Sequence, residues 1–280
     1  MRMTPDPRRY DRIEIEGVPH YLDKFLKVAI PLSAISAAGH NNASIPTYVS
    51  PTVIRSAKDY AETRKEALTE ELLGGAYVAP TERAMQHHDL RADTSSPGVS
   101  FVSVDICGSS ALRQADNEKF ERAYDLFIRE LGTTVGHFGC SILKTTGDGF
   151  IAFNDFPGFT TQCDNTVDLA TSLMVMLRNS VNPALQASAL PTLDIRVGAD
   201  FGKAHLRSVR TPATGYNVTE VASDALNRAV KIEQTSGPGE VRIGRHLYEL
   251  LHVGWLLRCS PVEFESASIG LPEYKVYRVI

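Results

Sequence analysis

FVSVDICGSS (residues 101–110) and LKTTGDGFIAF (residues 143–153) decide how this chain is read. The apolar run Val99–Ile106, followed by Gly108, Ser109 and Ser110, predicts a buried strand bounded by turn residues, with Asp105 near its end. Asp148 stands in Thr-Gly-Asp-Gly between the apolar pieces Ser141–Thr145 and 150–153, which predicts a hairpin with a two-residue loop. Between the two acids, Phe120, Tyr124, Phe127, Leu131 and Val135 keep helical spacing. A strand, a helix and a hairpin bring acids roughly forty residues apart to one edge of one sheet.

Carboxylates paired in this way suit Mg²⁺ or Mn²⁺, which take oxygen ligands and usually bind through one or two carboxylates plus substrate phosphates. Each acid also has a plainer explanation to beat. Asp is favoured in glycine-rich turns because it tolerates the left-handed conformation and bonds its own backbone, which accounts for Asp148 about as well as a metal does. Asp105 resists that account, since a carboxylate ending an apolar strand is costly to bury unless it is paired or bound to metal.

The remaining composition sets bounds. A chain of 280 residues allows one large domain or two modest ones, and 43% hydrophobic with 22% charged residues is ordinary for a soluble globular protein. A formal net charge of −4 argues against nucleic-acid or membrane-surface binding but leaves room for a local basic pocket. Cys107, Cys140, Cys163 and Cys259 show no CxxC spacing, so reduced thiols in a cytoplasmic protein are expected rather than zinc or disulfides. No apolar run approaches the ~20 residues of a membrane span.

Residues 1–20 read as irregular, 21–38 as mixed helical potential broken at Pro31, and 41–51 as a polar loop. A charged helix is expected over 56–73, stopped by Gly74-Gly75 and solvated on most of its surface. Residues 85–98 read as a linker, with His87-His88 on its surface. Beyond it, Val167, Ala170, Met174, Leu177 and Val181 share a helix face, and 193–199 alternate as a strand. A further strand is expected over 204–209, a loop over 210–216, a helix over 224–234 capped by Ser223, and a strand at Val241 and Ile243. A short helix over 245–251 and a last strand over 274–280 complete an α+β sandwich.

The two opening stretches, continued by RVGADFGKAH (196–205), VASDALNRAVKIEQTSGPGEVRIGRHLYELL (221–251) and the closing strand, resemble the catalytic domain of class III nucleotidyl cyclases over residues 97–280. The resemblance implies a ferredoxin-like domain over 96–280 with a mostly antiparallel sheet under helices, preceded by an extension over 1–95 of unassigned role. It implies a head-to-tail homodimer whose active sites lie in the groove between subunits. Two divalent cations, Mn²⁺ or Mg²⁺, would be held by Asp105, Asp148 and the carbonyl of Ile106. The partner subunit would supply Lys144 and Glu220 to the base, Asn227 to the ribose and Lys231 to the α-phosphate.

At position 231 the family places an arginine, so the planar bidentate fork is replaced by a point charge. Asn227 and Lys231 nevertheless share a helix face, being four residues apart, whereas Arg228 points about 100° away. The Lys144–Glu220 pair suits adenine, cytosine or uracil by its donors and acceptors. Ile106-Cys107-Gly108-Ser109-Ser110 and Lys231 are more similar to the bacterial pyrimidine cyclases of anti-phage signalling, which make cyclic UMP or cyclic CMP for a separate effector protein. An adenylate cyclase, and a degenerate domain that binds nucleotide without turnover, are the other readings.

Overall fold

The computed structural model describes residues 5–34, 52–90, 98–156 and 158–280; the loop expected over 41–51 lies outside them. The first element departs from expectation. Residues 10–31 form an antiparallel meander of β1 (Tyr10–Ile15), β2 (Val18–Asp23) and β3 (Val28–Pro31), where irregular chain and helical potential were read. The reason is local. Glu16 and Gly17 both have positive φ, 49° and 76°, and Ile15 pairs with Val18, which is a two-residue hairpin of the twist that antiparallel strands favour. Buried Asp23 accepts from the amides of Phe25 and Leu26 and from Arg9 Nε, while Arg9 also donates to the carbonyls of Leu251 and Glu249. Those bonds dock the meander on the C-terminal part of the chain.

Helix α1 (Ala57–Leu72) starts at Ser56, whose hydroxyl accepts from the Asp59 amide, and ends against Gly74 and Gly75 as expected. One face is far from solvated. Tyr60, Ala61, Arg64 and Leu68 are buried, and the Arg64 guanidinium forks onto both oxygens of buried Glu130 at 2.9 and 3.0 Å. Of the expected linker, residues 85–90 are irregular and mostly exposed chain, tied to the domain at a few points. The Met85 amide bonds Gly136 O, the His88 ring meets Ser141 Oγ and Asp155, and Leu90 is buried; 91–97 lie outside the described residues.

From Val99 the chain builds a seven-stranded sheet. Its strands are β4 (Val99–Ile106), β5 (Ser141–Thr145), β6 (Gly149–Asn154), β7 (Ile195–Gly202), β10 (Val241–Gly244), β11 (Cys259–Val262) and β12 (Val276–Val279), in the order β11-β12-β10-β7-β4-β6-β5. Only the β7–β10 pair is parallel. Separate from it, β8 (His205–Thr211) and β9 (Tyr216–Ala222) form an exposed two-stranded arm. The helices are α2 (Ser109–Ala115), α3 (Asn117–His137), α4 (Phe159–Met176), α5 (Asn182–Ala187), α6 (Asp224–Gln234), α7 (Arg245–Tyr248) and α8 (Val253–Leu256). A π-turn over Leu177–Val181 joins α4 to α5, keeping the expected stripe from Val167 to Val181 buried.

Period-two alternation sorts the sheet into two faces. Val102, Val104, Ile106, Phe150, Ala152, Val197 and Ala199 join the main core beneath α3 and α4, with α1 laid over α4 and α5. Phe101, Ile151 and Phe153 meet Ala225 and Ala229 of α6 on the other face. Strands β9 and β11 and helix α2 were not anticipated. β9 is a solvated strand without an apolar alternation, and α2 begins at the serines read as turn residues, after Gly108 at φ 71°. The result is the α+β sandwich implied by the resemblance.

Helix α6 lies against β7 at Gly198, where a Cβ would fall 2.2 Å from the Glu233 amide nitrogen and 2.3 Å from Ala229 O. Gly198→Ala is therefore expected to lower the unfolding free energy by about 2 kcal/mol or more through overpacking against rigid backbone. Urea unfolding followed by circular dichroism measures it, and an unchanged midpoint would show that α6 is free to retreat.

Candidate active site

Asp105 on β4 stands opposite Gly149 on β6, so Asp148 arrives beside it from the hairpin tip. The approach is possible because residue 149 is glycine: a Cβ there would lie 2.0 Å from Val104 O. The loop spans Thr146–Gly147–Asp148, one residue longer than expected, with Gly147 at φ 94° and the Thr146 amide bonded to Gly149 O at 3.0 Å. Ser109 Oγ donates to Asp148 Oδ2, and Arg113 reaches Gly147 O. Asp105, Ile106, Cys107, Gly108, Ser109, Ser110, Asp148, Arg196, Ser236 and Pro238 line a cleft of about 320 Å³. That is near the lower end for ligand pockets, enough for ions and a polyphosphate but short of a whole nucleotide.

The other four residues singled out by the sequence stand elsewhere. Lys144 is exposed on the edge strand β5, just after a bulge that places it opposite Ile151. Opposed residues share a sheet face, so the bulge puts Lys144 on the α6 side with Asp105. Glu220 sits on β9, opposite Arg207 and ion-paired to it at 3.0 Å. Asn227 and Lys231 are both exposed on α6, one turn apart. Their neighbour Arg228 is buried, bonded to Asp200 and to Phe201 O, with Tyr274 Oη on the same carboxylate at 2.7 Å. Arg228 is committed to the core.

Among the described residues no group of three or more His, Cys, Asp and Glu side chains forms a cage for a metal. Two adjoining carboxylates opening on a cleft fit Mg²⁺ or Mn²⁺, whose coordination is usually completed by water and substrate phosphate. Burial raises the Asp105 pKa, Arg196 opposes the shift, and the neighbouring Asp148 adds to it by like-charge repulsion. A cation between these acids would relieve that repulsion.

Arg196 and Glu233 escaped the sequence reading. Arg196 faces Asp105 across the β4–β7 register and donates to its Oδ2 from Nε at 3.0 Å and from the terminal nitrogen at 2.7 Å. The alternation Arg196, Gly198, Asp200 was the available signal, since it leaves one face of β7 polar. Glu233 is buried on α6 with Oε1 2.7 Å from Arg196 Nε, and burial, then Asp105, push its pKa up to about 7. An acid raised in the folded state holds its proton longer there than in the unfolded chain, so stability is lost as pH rises. From about pH 4.5 to about pH 7 the unfolding free energy should fall, by the order of 3 kcal/mol from this group, and Glu233→Gln should remove most of that slope. Urea titrations across that range measure it; an undiminished slope in the variant would place the titration on another group.

The sequence profile of the adenylate and guanylate cyclase catalytic domain matches residues 92–269, more than half of the chain. No curated protein matches it. Among solved structures, the guanylate cyclase domain of RhGC from Catenaria anguillulae, in complex with GTP, is similar over 65% of this chain and 96% of its own at 16% identity and TM-score 0.54. The adenylyl cyclase CyaB from P. aeruginosa is similar over 65% and 93% at 18% identity and TM-score 0.56. A non-canonical dimeric guanylyl cyclase domain of the RhoGC fusion protein from Blastocladiella emersonii is similar over 65% and 96% at 14% identity and TM-score 0.51. At such identities the likeness is one of fold, while the profile match settles the family. The chain belongs to the adenylate and guanylate cyclase catalytic domain family.

Proposed function

We propose that this cyclase domain converts a pyrimidine nucleoside triphosphate, UTP before CTP, to its 3′,5′-cyclic monophosphate and pyrophosphate, as a second messenger of anti-phage defence for a separate effector. The observation that carries the cyclase chemistry is the juxtaposition of Asp105 and Asp148 in one cleft, with Asn227 and Lys231 on the exposed face of α6. Base choice rests on Lys144 and Glu220 together with the 106–110 stretch and Lys231, the features similar to pyrimidine cyclases.

Asp105, Asp148 and the Ile106 carbonyl would hold two divalent cations, which when bound supply activation of the 3′-oxygen and neutralisation of the departing pyrophosphate. The chain's own groups do the rest. Ser109 fixes the Asp148 carboxylate, and Arg196 keeps a positive charge at the phosphate end of the cleft. Asn227 of the partner protomer orients the ribose, and its Lys231 stabilises charge that develops on the α-phosphate during in-line attack. A Lys144 ammonium reads uracil O4 while Glu220 accepts from N3–H. Glu220 also answers to Arg207, so its carboxylate is held in place on the β8–β9 arm. None of Lys144, Glu220, Asn227 and Lys231 lines the cleft of its own chain, which agrees with a site completed across a head-to-tail dimer.

Incubation with ATP, GTP, CTP and UTP plus Mn²⁺, followed by mass spectrometry, should give cyclic UMP above cyclic CMP. Cyclic AMP as main product would overturn the base assignment, and no cyclic product would make the domain a binder. A second test addresses the groove. Asp148→Ala and Lys231→Ala homodimers should each be nearly inactive. Mixed in equal amounts with subunit exchange, half the dimers carry one intact site of two, so about one quarter of wild-type activity should return. No recovery despite demonstrated exchange would put the whole site within one chain.

A further inference from the structure

Arg196 stands between two carboxylates and is bonded to one. Its Nε donates to Asp105 Oδ2 at 3.0 Å, yet the same nitrogen lies 2.7 Å from Glu233 Oε1. That oxygen is buried and accepts no hydrogen bond, because the N–H is aimed at Asp105. The other Glu233 oxygen has a long bond from Ser103 Oγ, 3.4 Å. A second guanidinium nitrogen donates to Gln234 O at 3.2 Å, which pins Arg196 to α6 independently of Asp105. A small rotation about that anchor carries the Nε–H from one carboxylate to the other.

We propose that Glu233 is a positioning residue that receives Arg196 when a divalent cation arrives at Asp105, so that Arg196 is the place-holding cation of the metal pair. The inference rests on the reading of Asp105 and Asp148 as that pair. A cation at Asp105 competes with the guanidinium for the lone pairs of Oδ2 and repels it. With no other acceptor, Arg196 would have to stay and weaken metal binding, or leave its charge unpaired in a half-buried site. Glu233 Oε1 removes the dilemma. It also gives a reason for a buried carboxylate oxygen to lack a donor, since such groups are rare and call for an explanation.

The test is Mn²⁺ binding, read from the electron paramagnetic resonance of free Mn²⁺ at about pH 8, where Glu233 is ionised, without nucleotide. Arg196→Gln should tighten Mn²⁺ binding and Glu233→Gln weaken it, each by about three- to tenfold, and Glu233→Asp should recover part of the loss. In the Arg196→Gln background, Glu233→Gln should have little further effect. A helix-anchoring role alone would move the thermal midpoint of Glu233→Gln and leave its Mn²⁺ affinity unchanged, which overturns the proposal. An undiminished Glu233 effect without Arg196 overturns it as well, by assigning the effect to the field of the carboxylate. Should Arg196→Gln not fold, the wild-type protein crystallised with Mn²⁺ decides: Arg196 on Glu233 supports the exchange, and Arg196 still on Asp105 ends it. Wild-type Mn²⁺ binding that survives Asp148→Asn would fell the metal-pair reading, and the proposal with it, a result distinct from a failed exchange at an intact site.

Discussion

Helix α6 can touch the sheet because residue 198 has no side chain. With Ala229 O and the Glu233 amide just over 2 Å from where a Cβ would be, backbone meets backbone, and the geometry of the α6 face of the sheet follows. At that distance the inward residues of α6 cannot be large apolar groups over β7. Ala225 and Ala229 fill the middle, while Arg228 and Glu233 extend to either side of the contact. Arg228 finds Asp200, and Glu233 finds Arg196. Asn227 and Lys231 are turned outward by the same helical period that turns Arg228 inward. One close contact therefore sets which cation of α6 is buried in the core and which is exposed.

The opposite face is held by a different device. Glu130 on α3 is almost fully buried and accepts both prongs of Arg64 from α1, while Arg129 bridges Glu71 and Glu130. A buried ion pair adds little net stability over an apolar pair, but losing one partner costs about 3–5 kcal/mol by leaving a charge unpaired. Such a pair specifies where α1 must lie more than it tightens the fold. The segment before the cyclase profile is thus fixed to the same core as the strands that carry Asp105 and Asp148, through α1, through residues 85–90, and through Arg9 at Leu251 O.

Much of this was legible in the sequence where burial is two-sided or periodic. The run Val99–Ile106 was recognisable because both of its faces are covered, and the α3 stripe because Phe120, Phe127 and Leu131 all point into one core. The hairpin bearing Asp148 announced itself through its glycines. What escaped had no such signature. Strand β9 buries none of its residues, so no apolar alternation marks it, and β1–β2 turn on Glu-Gly rather than a stronger turn pair. Arg196 and Glu233 look like surface charges until register places one beside Asp105 and helix packing places the other beside it in turn. The bulge that puts Lys144 on the α6 side of the sheet is likewise a matter of pairing, which residue types alone do not disclose.

Charge balance then constrains what the cleft is for. Asp105, Asp148 and Glu233 gather three carboxylates around one guanidinium, Arg196. When all are ionised the group carries two net negative charges, and the raised pKa values of Asp105 and Glu233 show how poorly the interior tolerates them. A nucleoside triphosphate bound as proposed would bring more negative charge to the same place. By Coulomb's law two unit charges 4 Å apart repel by about 4 kcal/mol at the effective dielectric of a protein surface, so substrate and acids exclude one another on their own. On the proposed reading they would become compatible when divalent cations enter with the phosphates, and each cation would be worth more here because the acids already repel one another. On the same reading, the excess of acid that makes the free site costly would also make its affinity for nucleotide conditional on metal.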